Sequence, residues 1–261
     1  MRRIFILALL LLPCASFAQK THVQIADEYG DTIVSVNVAK KDGSTHSGTG
    51  FIVNKDGVIA TAGHVVEDAI FINVTFKNGA VSDEALIIDV SHDKEIDLAL
   101  LKIPNENLPH VSFRNSNYVR AGEEITVIGN PRRLQNTVTN GLISQIRQVS
   151  QEVIWHQISA PISPSSSGSP VFNNQGYVIG IALSSLKGKD NQNLNFAIPG
   201  NYLLQMMAEN NIEPQMEEVK HNATAKHAQP KPKKLTWIQL IQLHIKKSWY
   251  ILKKKTNGLL G

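Results

Sequence analysis

The chain has 261 residues, 42% of them hydrophobic, and its single cysteine is Cys14. That is an ordinary globular composition with enough apolar material for one large or two small cores, and it excludes a disulfide-stapled scaffold. The formal charge of +4 is unevenly held: residues 19–213 carry 14 Lys/Arg against 20 Asp/Glu, and residues 214–261 carry 10 against 2. The globular part is acidic, so the net charge does not indicate nucleic-acid binding.

Residues 1–18 read as an export signal. Arg2 and Arg3 precede the apolar run Ile4 to Leu12, and Ser16-Phe17-Ala18 supplies small residues before a cut. Pro13 is the wrong neighbour for a lipidated Cys14, so cleavage after Ala18 is expected, leaving a mature chain with no cysteine. An exported chain without disulfides suits the periplasm of a Gram-negative bacterium.

From Asp31 to Ile198 the sequence reads as short strands with frequent turns. Val34, Val36 and Val38 alternate with Ser35 and Asn37. The runs 51–53 and 58–61 flank the hairpin signal Asn54-Lys55-Asp56-Gly57. Further strands are expected at 70–76, 85–90 and 97–103, and a second group at 124–128, 137–149, 153–159 and 194–198. Helical patterns are confined to 65–69 and 201–210. Two groups of this kind predict an all-β fold of two six-stranded antiparallel barrels with a short C-terminal helix. Residues 214–234 read as a linker.

One turn dominates the second group: Ile162-Ser-Pro-Ser-Ser-Ser-Gly-Ser-Pro-Val-Phe-Asn173. Alone it reads as a Ser/Pro-rich surface loop. A serine there becomes a nucleophile only if a base takes its proton and backbone N–H groups receive the oxyanion. His64 follows a strand in Ala60-Thr-Ala-Gly-His-Val-Val66, and Asp97 leads into the apolar run Leu98 to Leu101. Each is weak evidence by itself. The order His, Asp, Ser in an all-β chain matches the chymotrypsin-like arrangement. An α/β-hydrolase needs Ser, acid, His, and the histidines after Ser167 lie only in the linker and tail.

Gly48-Thr-Gly-Phe-Ile-Val53, the His64 and Asp97 segments, Val127-Ile-Gly-Asn-Pro131, Thr137-Val-Thr-Asn-Gly141 and Asn195-Phe-Ala-Ile-Pro199 together resemble the protease domain of the HtrA (Deg) family over roughly residues 30–210. The resemblance implies a serine endopeptidase with His64 as general base, Asp97 orienting it and Ser167 attacking. The N–H groups of Ser165 and Ser167 would form the oxyanion hole. Ser165 and Ser169 stand where the family usually has glycine. Serine keeps the N–H, but if Ser165 must adopt a positive φ it does so at a cost of about 1–2 kcal/mol.

No Asp or Glu lies between Val153 and Lys189, so cleavage after small or aliphatic residues is expected. Leu194, Asn195 and Phe196 are read as the edge strand that pairs with the substrate backbone. No cofactor is implied, and scattered histidines without a cysteine give no metal-ligand spacing. HtrA proteases usually carry PDZ modules, for which the 48 residues from 214 to 261 are too few.

Residues 235–261 form a basic amphipathic tail. Ile238, Ile241, Ile245, Trp249 and Leu252 recur at helical spacing, which suits an anionic membrane surface, with docking on the chain's own acidic barrel as the alternative. The partners expected are polypeptide substrates; homo-oligomerisation is left open. The rival to the enzyme reading is a catalytically silent scaffold of the same fold that binds peptides or the envelope surface.

Overall fold

A computed structural model of the protein describes residues 19–130, 136–183 and 194–217. The expected signal segment, the linker from residue 218 onward and the amphipathic tail lie outside the described residues.

The first element is a helix that strand periodicity did not predict, α1 (His22–Tyr29). Thr21 accepts the Gln24 N–H while the Gln24 side chain returns to the Thr21 N–H, satisfying two otherwise orphaned donors. The helix buries Ile25 and Tyr29. Tyr29 stacks on Phe172, with ring centroids 4.9 Å apart.

The first sheet then runs through β1 (Ile33–Lys40), β2 (Thr45–Ile52), β3 (Val58–Thr61), the single-turn α2 (Gly63–Val66), β4 (Ala69–Phe76), β5 (Val81–Ser82), β6 (Leu86–Val90) and β7 (Ala99–Lys102). Its order is β5-β4-β1-β2-β3-β7-β6. On β1 the alternation holds: Val34, Val36 and Val38 are buried in the core, so Ser35 and Asn37 take the opposite face. The hairpin between β2 and β3 is shaped by Asn54, whose Oδ1 accepts the N–H groups of Asp56 and Val58, and by Gly57 at φ +81°.

The second sheet comprises β8 (Ser112–Phe113), β9 (Glu124–Gly129), β10 (Thr137–Gln148), β11 (Ile154–Ile158), β12 (Pro170–Asn173), β13 (Val178–Leu183), β14 (Asn195–Pro199) and β15 (Gln215–Met216), with α3 (Gly200–Glu209) following β14. Six of these strands close on themselves, because β12 pairs with both β9 and β13 in the cycle β12-β9-β10-β11-β14-β13. Inside that barrel Ile125, Val127, Ile143, Ile158, Val171 and Ile179 form one apolar cluster.

Four expectations are corrected. The first sheet has seven strands rather than six, and among the described residues its ends, β5 and β6, do not pair; β5 is only two residues long, too short to close a barrel. Two strands run parallel to a neighbour, β8 beside β13 and β15 beside β8. The helix expected at 65–69 is a single turn two residues earlier, because Asp68 takes a left-handed φ of +59° and Ala69 already starts β4. The substrate-pairing edge expected at 194–196 is not an edge: Asn195 and Phe196 pair with Ile158 and Gln157 of β11, and Phe196 also with Leu183 of β13. Both sides of β14 are occupied, and Leu194 precedes it.

Candidate active site

His64 and Asp97 come from neighbouring parts of the first sheet, since β3 leads into α2 and pairs with β7, the strand after Asp97. Asp97 holds the histidine at two points. Its Oδ1 accepts the His64 backbone N–H at 2.7 Å, and its Oδ2 accepts Nδ1–H at 2.5 Å. The Asp97 carbonyl also accepts the Gly63 N–H at 3.1 Å. Residue 63 has no room for a side chain, since a Cβ there would stand 2.9 Å from Asp97 Oδ1. With Nδ1 committed to the carboxylate, the proton-accepting nitrogen is Nε2, on an imidazole that remains 43% exposed.

Ser167 sits on the turn before β12, buried at the seam between the two sheets. The turn is built from its own serines. Ser166 N–H donates to Ser163 O, Ser169 N–H donates to Ser166 O, and the Ser169 hydroxyl donates to that same carbonyl at 2.7 Å. Gly168, at φ +90°, then passes its N–H to Ala182 O, and Ala182 N–H returns to Ser169 O. A Cβ on Gly168 would lie 2.1 Å from Thr49 O, 2.7 Å from Thr61 Oγ1 and 2.9 Å from Ala62 N. The nucleophile candidate's neighbour is thus pressed against the strand end that delivers His64 two residues later.

Residue 165 has the positive φ that the sequence raised as a question: Ser165 lies at +71°. Among the described residues, the other non-glycine positions with positive φ are Asp68, Asn107, Asn136 and Asn211. Asn and Asp tolerate that region, whereas serine does so at a cost. The Ser165 carbonyl accepts the Thr49 hydroxyl at 2.9 Å, and its own hydroxyl lies 3.3 Å from that of Ser47. Its N–H has no acceptor among the described residues.

Two of the three residues read from sequence as substrate-binding, Asn195 and Phe196, are engaged inside the second barrel, and Leu194 precedes β14. Asn195 is buried and donates its amide to Ala160 O at 2.9 Å, bracing the segment that leads into the serine turn. Phe196 packs on Trp155 with centroids 5.5 Å apart. Sequence reasoning missed Ser47, Thr49 and Asn130, which contact the turn or its supports. The signal available was the flanking pair Gly48 and Gly50: a Cβ at 48 would meet Val65 Cγ2 at 2.5 Å, and one at 50 would meet Ile59 Cγ2 and Val36 Cγ2 at 2.9 Å. Such close packing places residue 49 where backbone segments converge. Among the described residues there is no group of three or more potential metal ligands.

A two-sheet fold with an imidazole–carboxylate pair and a serine turn at its seam is the architecture of chymotrypsin-like peptidases. A family profile for the trypsin-like peptidase domain matches residues 48–181. The chain is 40% identical over 157 residues to a probable periplasmic serine endoprotease DegP-like of Chlamydia pneumoniae, covering 58% of this chain and 32% of that protein. It is 40% identical over 160 residues to the putative serine protease HhoB of Synechocystis, covering 59% and 37%. To human serine protease HTRA4 it is 38% identical over 172 residues, covering 63% and 35%. It therefore spans about a third of the length of these relatives. Among solved structures, the HtrA-type protease AlgW with tripeptide superposes with a TM-score of 0.65 at 28% identity, over 72% of this chain and 63% of that one. The chain belongs to the trypsin-like peptidase family, and the solved structure that superposes on it is of an HtrA-type protease.

Proposed function

We propose that the chain is an exported serine endopeptidase that cuts polypeptide substrates through an acyl-enzyme. Asp97 fixes the His64 tautomer with Nδ1–H toward the carboxylate, so Nε2 takes the Ser167 proton as Oγ attacks the scissile carbonyl. The resulting imidazolium then protonates the leaving amine, and the Asp97 carboxylate offsets its charge. The N–H groups of Ser165 and Ser167 receive the oxyanion; one such donor is typically worth about 3–4 kcal/mol in the transition state.

The observation that carries this reading is the two-point grip of Asp97 on His64, through the backbone N–H and Nδ1, beside the turn that bears Ser167. A silent scaffold has no use for an imidazole held in one tautomer. Peptide substrates are supported by the structures of AlgW with tripeptide and with decapeptide. A periplasmic location is supported by the name of the chlamydial relative. The absence of acidic residues from 153 to 189 supports cleavage after small or aliphatic side chains.

Purified protein treated with a fluorophosphonate is expected to be labelled, and Ser167→Ala to lose both the label and all but about one part in a million of kcat on an unfolded protein substrate. An unlabelled, inactive wild type would overturn the reading in favour of the scaffold.

A further inference from the structure

We infer that Thr49 is a positioning residue: its hydroxyl holds the strained Ser165 peptide in place and keeps the oxyanion-hole turn formed before substrate arrives. The inference rests on the reading of Ser165 and Ser167 as oxyanion donors.

Thr49 is fully buried on β2, at the seam, and every polar atom it has is used. Its N–H donates to Ser167 O at 3.0 Å and its hydroxyl to Ser165 O at 2.9 Å. The same hydroxyl accepts the Asn130 N–H at 2.9 Å, and its carbonyl accepts the Thr61 hydroxyl at 2.7 Å. One residue of the first sheet therefore fixes two carbonyls of the serine turn, the ones on either side of Ser166. Fixing the carbonyl of residue 165 fixes the peptide plane that follows it, which limits the ψ of a residue already at φ +71°.

The donor set suits that task. A β-branched side chain is stiff at χ1, so the threonine hydroxyl is aimed rather than merely available. Accepting from Asn130 orients it further, because the hydroxyl's one proton is then directed to Ser165 O. Asn130 is itself anchored: its amide donates to Ser35 Oγ at 3.1 Å and its Oδ1 accepts the Asn136 N–H at 2.7 Å. Ser47, two residues before Thr49 on the same face of β2, adds the contact with the Ser165 hydroxyl. A glycine at 165 would enter the positive-φ region without penalty; serine at that position makes an external clamp necessary.

The test combines kinetics with crystallography of Thr49→Val, Thr49→Ser and the pair Ser165→Gly and Ser165→Gly/Thr49→Val. Thr49→Val is expected to lower kcat by about 30- to 100-fold while KM moves less than about threefold, since the donor acts on the transition state. Affinity for a peptide boronate should fall in parallel with kcat. Thr49→Ser should restore most of the rate, and in the Ser165→Gly background the valine should cost less than about fivefold. In the crystal, Thr49→Val should show Ser165 leaving the positive-φ region. If Thr49→Val does not fold, Thr49→Cys, a weak donor of similar volume, replaces it.

Thr49→Val with unchanged kcat, Thr49→Ser no better than valine, or a Thr49→Val crystal with Ser165 still near its original φ would each overturn the inference. A wild type that neither labels nor cleaves would sink the protease reading separately. The Ser165 φ in the wild-type and Thr49→Val crystals would then still decide the role of Thr49.

Discussion

The two halves of the candidate site are built differently. The His64–Asp97 half is local to the first sheet: β3 and β7 are hydrogen-bonded neighbours, and the histidine donates to the carboxylate of Asp97, two residues before the partner strand. The serine half belongs to the second barrel, yet its shape depends on the first sheet. Thr49, Thr61 and Ala62 press on the turn, and Ser165 occupies a backbone region that serine enters at a cost. The His64–Asp97 pair thus rests on contacts within the first sheet. The turn that bears Ser167 rests on contacts from both sheets.

The largest expected way to break the local half is Asp97→Asn. The amide keeps the shape but can offer its N–H₂ to Nδ1, reversing the tautomer, so kcat should fall about 10⁴-fold with little change in thermal stability. Fluorophosphonate labelling rates and melting curves, measured side by side, check this. If melting fell sharply, the carboxylate's grip on the His64 backbone would matter more to the fold than to the proton.

The seam is broken next by Gly168→Ala. A Cβ would approach Thr49 O to 2.1 Å at a φ of +90°, so both overlap and backbone strain oppose it. A loss of about 3–5 kcal/mol in urea unfolding is expected, together with loss of activity in whatever fraction folds. An active Gly168→Ala of wild-type stability would show that the turn relaxes independently of the first sheet.

The smallest effect sharpens the contrast from the far side of the second barrel. His156 on β11 is buried, its Nδ1 has no partner among the described residues, and burial pushes its pKa down to about 4. An unfolded chain takes up that proton near pH 6.5, whereas the folded one resists it. Stability should therefore decline as pH falls from about 6.5 to about 4, by roughly 3 kcal/mol from this group alone. In His156→Gln that part of the decline should vanish, as read by urea midpoints at pH 7 and pH 4.5. A variant that keeps the full acid sensitivity would assign the effect to other groups.

How much of this was legible in the sequence follows the same division. Features carried by a few consecutive residues could be read: the Asn54–Gly57 hairpin and the alternation on β1. The cap of α1 is equally local, since Thr21-His-Val-Gln24 spells a capping box, and it lies before Asp31, where the strand pattern begins. Features that depend on what lies across a gap could not be read. Nothing in Asn195-Phe-Ala-Ile-Pro199 says which of its sides is free; that is set by β11 and β13. Likewise Gly48-Thr-Gly50 marks a tight place without revealing that the threonine hydroxyl meets Ser165.

The ends of the described chain are crossed over. The segment before the first sheet lies on the second barrel, through Lys20 N–H to Asn174 O, His22 Nδ1 to Thr126 Oγ1 and the stacking of Tyr29 on Phe172. The segment after the second barrel returns to the first sheet through the Asn210 amide, which donates to Asp89 Oδ2 at 2.8 Å. Each half is strapped by the other's polypeptide. A chain severed near Asn107 would give two fragments that each lack a piece of their own cover.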